Sequence, residues 1–71
     1  MTQAHYTVTA LYMDAEIAAG EGDSHEYAVR ECMDGVSDMY PAEDVTLECK
    51  SSAMPHVVVT MPLDLAQRAF A

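Results

Sequence analysis

From residue 6 onward the apolar and polar positions alternate. Tyr6, Val8, Ala10 and Tyr12 fall on one side, and Thr7, Thr9, Leu11 and Met13 on the other. A period of two built from β-branched and aromatic residues predicts a strand. The pattern runs on to about Ile17. Twelve residues (6–17) would extend roughly 40 Å at ~3.3 Å each, too far for so small a domain. A bend or bulge near Met13 to Ala15, or a second short strand after it, is therefore expected. Ala18-Ala19-Gly20-Glu21-Gly22 interrupts the alternation and reads as a loop.

The period then lengthens. Ala28, Cys32, Val36 and Met39 recur at helical spacing, with Val29, Met33 and Tyr40 beside them. That stripe predicts a helix over residues 23–40 lying on a sheet. Asp23 or Ser24 starts it, and Asp23 with Glu26 fits a capping box. Acidic residues in the first turn also suit the helix dipole. Gly35 costs about 1 kcal/mol against Ala in a helix interior, which a close approach to the sheet would explain. Pro41 ends the helix.

Val45, Leu47 and Cys49 alternate with Thr46, Glu48 and Lys50, predicting a strand with one buried and one wet face. Ser51-Ser52-Ala53-Met54-Pro55 reads as a hairpin loop, and residues 56–61, centred on Val57-Val58-Val59, as the next strand. Pro62 suits the first position of a short helix over 63–70. So short a helix forms only if Leu63, Ala66 and Phe70 pack on something. The expected fold is a single α+β domain over residues 1–71, built in two layers. Its order is strand-helix-strand-strand with a short C-terminal helix. A largely antiparallel three-stranded sheet is covered on one face by helix 23–40.

Charge changes this picture most. Twelve Asp and Glu stand against three Lys and Arg, a formal −9 in 71 residues. The cations are Arg30, Lys50 and Arg68. Half the chain is apolar, so it is no disordered acidic tail. At this length folding buries only roughly 60% of the unfolded surface, so the core is marginal. No apolar run approaches the ~20 residues a membrane-spanning helix needs. The start lacks the features of a signal peptide, so a cytoplasmic location is expected, that of the host cell if the protein is phage-encoded. Cys32 and Cys49 form no CxxC motif and no disulfide framework, and are expected as small buried thiols.

The residues offer little to an enzyme. His5, His25 and His56 fall in three different elements without a Ser or Cys motif. His25-Glu26 begins like a zinc-protease helix, but Val29 stands where the second His is needed. Gly20-Glu21-Gly22 lacks the later glycine of a phosphate loop, and its acid repels phosphate. Glu21 and Asp23 supply two ligands where a calcium loop needs several. The expectation is a non-enzymatic protein with no cofactor and no metal. A basic patch is missing, which disfavours direct nucleic-acid binding, and anionic membranes are repelled too.

What remains is the acidic surface. Glu31, Asp34 and Asp38 are three and four residues apart, which places them on one helix face with ~5–6 Å between neighbours, of the order of phosphate spacing. Glu21, Asp23 and Glu26 extend the field at the helix start. Asp14 and Glu16 precede it, and Glu43 and Asp44 follow the helix. Like charges held together repel, and a basic groove would relieve them and release counterions. These ten carboxylates are the expected partner-binding set, acting as a DNA mimic. The alternative is a small structural or regulatory interaction module, monomer or homodimer, using the open sheet face or Val57 to Val59 as an edge. In that case the acidity is a solubility or halophilic feature.

The chain also resembles small phage and mobile-element proteins, among them the anti-CRISPR proteins that inhibit type I systems. The resemblance rests on size, on acidity, and on a strand followed by an acidic helix: His-Tyr-Thr-Val-Thr-Ala from His5, then Gly-Asp-Ser-His-Glu-Tyr-Ala from Gly22. It implies binding to the RNA-guided surveillance complex, on a basic protein surface such as its DNA-binding subunit, and loss of its hold on target DNA. The family shares no defining motif, so the acidic positions above come from charge and spacing alone.

Overall fold

The alternation that starts at Tyr6 makes two strands rather than one. In the computed structural model, which describes residues 4–70, β1 (Tyr6–Tyr12) turns back into β2 (Ala15–Gly22). Met13 and Asp14 form the turn, with φ of 52° and 66°. Left-handed backbone at both central residues is what a two-residue hairpin needs to match strand twist. A register shift follows Ala10, where Ala10 pairs with Ala18 but Leu11 with Glu16, so Ile17 is the bulged residue.

Residues 18–22, expected as a loop, are therefore paired strand: Val8 lies opposite Gly20 and Tyr6 opposite Gly22. Small residues carry weak strand preference, and tertiary packing overrides it here. The sheet has four antiparallel strands instead of the expected three, in the order β2-β1-β3-β4. Here β3 is Val45–Ser51 and β4 is Met54–Pro62. The predicted five-residue loop shrinks to a turn at Ser52 and Ala53, because Met54 and Pro55 belong to β4.

The helix α1 (His25–Asp34) is shorter than the 23–40 expected. Its N-cap is Ser24, whose Oγ accepts a hydrogen bond from the Tyr27 N–H at 3.1 Å. Gly35 is the C-cap and not an interior residue, donating to the Cys32 carbonyl at 3.0 Å. Beyond it Ser37 and Asp38 favour turns, and the Ser37 Oγ accepts from the Met39 N–H at 3.4 Å. Met39, expected on the buried stripe, is consequently 78% exposed. Ala28, Val29 and Cys32 do face the sheet, fully buried.

The close approach expected at Gly35 occurs at Gly20 instead. A Cβ on Gly20 would run into the Ala28 carbonyl oxygen and the Cys32 amide nitrogen, so α1 rests directly on β2. A short 3-10 turn (Ala42–Asp44) leads into β3, and α2 (Leu63–Ala69) follows β4. Leu63 and Ala66 are buried and Phe70 packs on the core, as that helix requires. Pro62 caps α2 rather than occupying its first turn.

Both helices lie on one face. α1 covers β1 and β2, while α2 lies against β3, β4 and the 3-10 turn. Between them Val8, Ala10, Val45, Leu47 and Cys49 form the core. The helices meet where the Arg30 Nε donates to the Phe70 carbonyl at 3.2 Å and the His25 and Phe70 rings stand edge-on, 5.7 Å apart.

Candidate functional site

The ten expected carboxylates occupy the hairpin turn (Asp14), β2 (Glu16, Glu21), the approach to α1 (Asp23), α1 (Glu26, Glu31, Asp34), the loop beyond it (Asp38) and the 3-10 turn (Glu43, Asp44). All ten are exposed. Their distribution follows from topology. β2 is one edge of the sheet and α1 lies over it, so Asp14 through Asp34 gather on that side of the molecule. Glu43 and Asp44 join from the sheet end that holds the hairpin turn, because Tyr12 pairs with both Ala15 and Val45.

One expected alignment fails. Asp38 lies outside α1, so Glu31 and Asp34 share a helical stretch and Asp38 does not extend it. Counter-charges are sparse. Among the described residues, Arg30 pairs with Glu26 at 3.1 Å and His5 approaches Glu21 at 3.4 Å. Both contacts are exposed and contribute little to stability.

The opposite edge is different in kind. Residues 51–63, which make the β3–β4 turn and all of β4, contain no Asp, Glu, Lys or Arg. Val57, Val58 and Val59 are 44%, 46% and 50% exposed. The helices leave part of the sheet bare here. Tyr6, His25, Cys49, Met54, Val57 and Val59, with Lys50 and Ser51 beside them, line a mainly apolar trough of about 260 Å³. Its lining comes from β1, α1, β3 and β4, so the trough itself was not readable along the chain. The uncharged run that builds one wall was.

Cys32 and Cys49 are buried free thiols, as expected. Burial, and then proximity to Cys49, pushes the Cys32 thiol from its ordinary 9.0 up to about 11. Burial raises Cys49 as well. Raised thiols stay protonated and are poor nucleophiles and poor metal ligands. His25 is held between the Tyr6 and Phe70 rings, with centroids 6.1 and 5.7 Å away. Among the described residues, no group of three His, Cys, Asp or Glu is placed to hold a metal ion. Nor is any helix among them long and apolar enough to cross a membrane. No family model, curated protein or solved structure matches the chain.

Proposed function

We propose that this protein is a non-enzymatic inhibitor that seats its β2–α1 side on a basic protein groove that otherwise grips nucleic-acid phosphates. One observation carries the reading. The carboxylates from Asp14 to Asp34 gather along one edge and its covering helix, while residues 51–63 are uncharged. A solubilising surface has no need of such polarity. A field with direction orients an approaching cationic partner and speeds its encounter. Docking neutralises the repulsion among these acids and frees the counterions of both surfaces.

The DNA channel of a type I RNA-guided surveillance complex has the required chemistry, and the resemblance to anti-CRISPR proteins points there. The test is competition. A target duplex is titrated against the protein on a purified surveillance complex across a range of salt. Expected is mutual exclusion of DNA and protein, with affinity falling as salt rises. Joint reversal by Glu31→Lys and Asp34→Lys should weaken binding by at least about tenfold with the far-UV spectrum unchanged. Simultaneous binding of DNA and protein, or affinity indifferent to salt, would sink the reading.

A further inference from the structure

We propose that β2 takes an added strand: an extended segment of the basic partner, bearing Lys or Arg, pairs main chain to main chain with the edge Ala18–Gly22. This pairing rests on the docking proposed above and adds to it the form of the partner. The ladder decides which backbone groups are free. The Ser52 N–H donates to the His5 carbonyl at 2.8 Å, so these opposite residues are a hydrogen-bonded pair. Alternation then commits Thr7 and Thr9 to β3, and Tyr6, Val8 and Ala10 to β2. Their partners Gly22, Gly20 and Ala18 spend their backbone groups inward, while Ala19 and Glu21 turn theirs outward. The register is unbroken from Tyr6 opposite Gly22 to Ala10 opposite Ala18, so this stretch of edge is regular. The β4 edge is not, because its ladder shifts between Lys50 and Ser51 and residues 55–57 stand out of it.

The β2 edge is also open. Ala19 and Glu21 are exposed. A cavity of about 190 Å³ lies against them, lined by Thr7, Ala19, Gly20, Glu21 and Glu31. Acid stands on both sides of it. Glu21 sits opposite Thr7, on the sheet face away from the helices. Glu31 hangs over Gly20 from α1, its Cβ 2.9 Å from where a Gly20 Cβ would lie. Tyr27 covers Gly22 in the same way and is 57% exposed. A strand laid along this edge alternates its side chains between the two faces. Cations on one face meet Glu31, with the Tyr27 ring beside it to take a cation over its π-face. Cations on the other meet Glu21. The His5 contact on Glu21, exposed and 3.4 Å long, is weak enough to yield. Arg30 is engaged elsewhere, with Glu26 at 3.1 Å and the Phe70 carbonyl at 3.2 Å.

Charge selects the occupant. An unpaired edge is a template for any extended chain. A second copy would press its own Glu21 and Glu31 against these, like charge on like. A neutral strand leaves both carboxylates unanswered. A basic strand pairs with the outward groups of Ala19 and Glu21 and neutralises the acids on either side, so main chain gives affinity and side chains give selection.

Fluorescence anisotropy at low and moderate salt tests this with a labelled peptide of alternating Lys and Thr, beside the same peptide N-methylated at every residue. The two carry equal charge, but the second has no N–H to donate. The parent should bind, more tightly as salt falls, and the N-methylated peptide at least about tenfold more weakly. In the complex the Ala19 and Glu21 amides should gain protection from hydrogen exchange. Ala19→Pro removes an outward N–H and none from the β1 ladder, which an edge strand tolerates, and it keeps every carboxylate. It should close most of the gap between the two peptides. Equal affinity for both peptides, with those amides unprotected, would overturn strand addition and leave docking by charge standing. So would an Ala19→Pro variant, folded by far-UV circular dichroism, that keeps the full preference for the parent. Binding of neither peptide overturns strand addition too, and competition with DNA on the surveillance complex then decides the docking by itself.

Discussion

Gly20 is the residue on which the contact between hairpin and helix turns. The backbone of α1 lies where its side chain would be, and neither the Ala28 carbonyl nor the Cys32 amide can swing aside as a flexible side chain could. Gly20→Ala is expected to lower unfolding stability by roughly 2–3 kcal/mol through overpacking, read as a lower urea midpoint. Cys32 supplies a second residue-scale prediction. Its thiol is protonated in the folded chain up to about pH 11, but ionises near 9.0 once exposed. Between those values the native state binds more protons than the unfolded state, so stability falls as pH rises. It is complete below the unfolded value and lost by the folded one. The loss is on the order of 2 kcal/mol, and Cys32→Ala should flatten that part of the profile in denaturant titrations from pH 8 to 11.

At the scale of elements, the β1–β2 hairpin carries backbone strain that its sequence does not relieve. Met13 is a bulky non-glycine residue at φ 52° and 87% exposed, so it offers little packing in return. Asn tolerates left-handed backbone better than Met. Met13→Asn is expected to raise the urea midpoint without changing the slope, by about 0.5–1 kcal/mol, and it keeps the Asp14 carboxylate. α1 shows the reverse relation, where local signals outweigh a longer stripe. Ser24 caps its start, Gly35 its end, and Ser37 with Asp38 prevents continuation to Pro41. The apolar residues beyond Gly35 have other work. The Tyr40 ring stands edge-on to Tyr12 at 5.0 Å, covering the sheet end that the helix does not reach.

For the whole molecule the governing fact is polarity of charge. One edge of the sheet, with its helix, bears most of the acids, while the strand at the other edge, β4, bears none. Docking on a basic groove weakens as ions screen attraction. The isolated fold should follow the opposite trend. With −9 over 71 residues and two exposed ion pairs among the described residues, its melting temperature is expected to rise from low to moderate salt as self-repulsion is screened. A melting temperature that falls over that range would mean that attraction governs the charge distribution.

Local pattern was enough wherever an element's own residues state which side is buried. The alternations at Tyr6 to Tyr12 and Val45 to Lys50 became β1 and β3. Leu63 and Ala66, behind the Pro62 cap, became the buried side of α2, and Ala28, Val29 and Cys32 that of α1. Acidity and the absence of charge over 51–63 were equally plain in the chain. Other features belong to the tertiary structure. Ala18, Ala19, Gly20 and Gly22 have too little side chain to show a period, so only pairing with β1 and the weight of α1 makes them a strand. Strand order is likewise silent in the sequence, since β1 pairs with β3 across the whole of α1. That order puts β2 and β4 at opposite edges, and so decides that an acidic chain has one charged edge strand and one uncharged one.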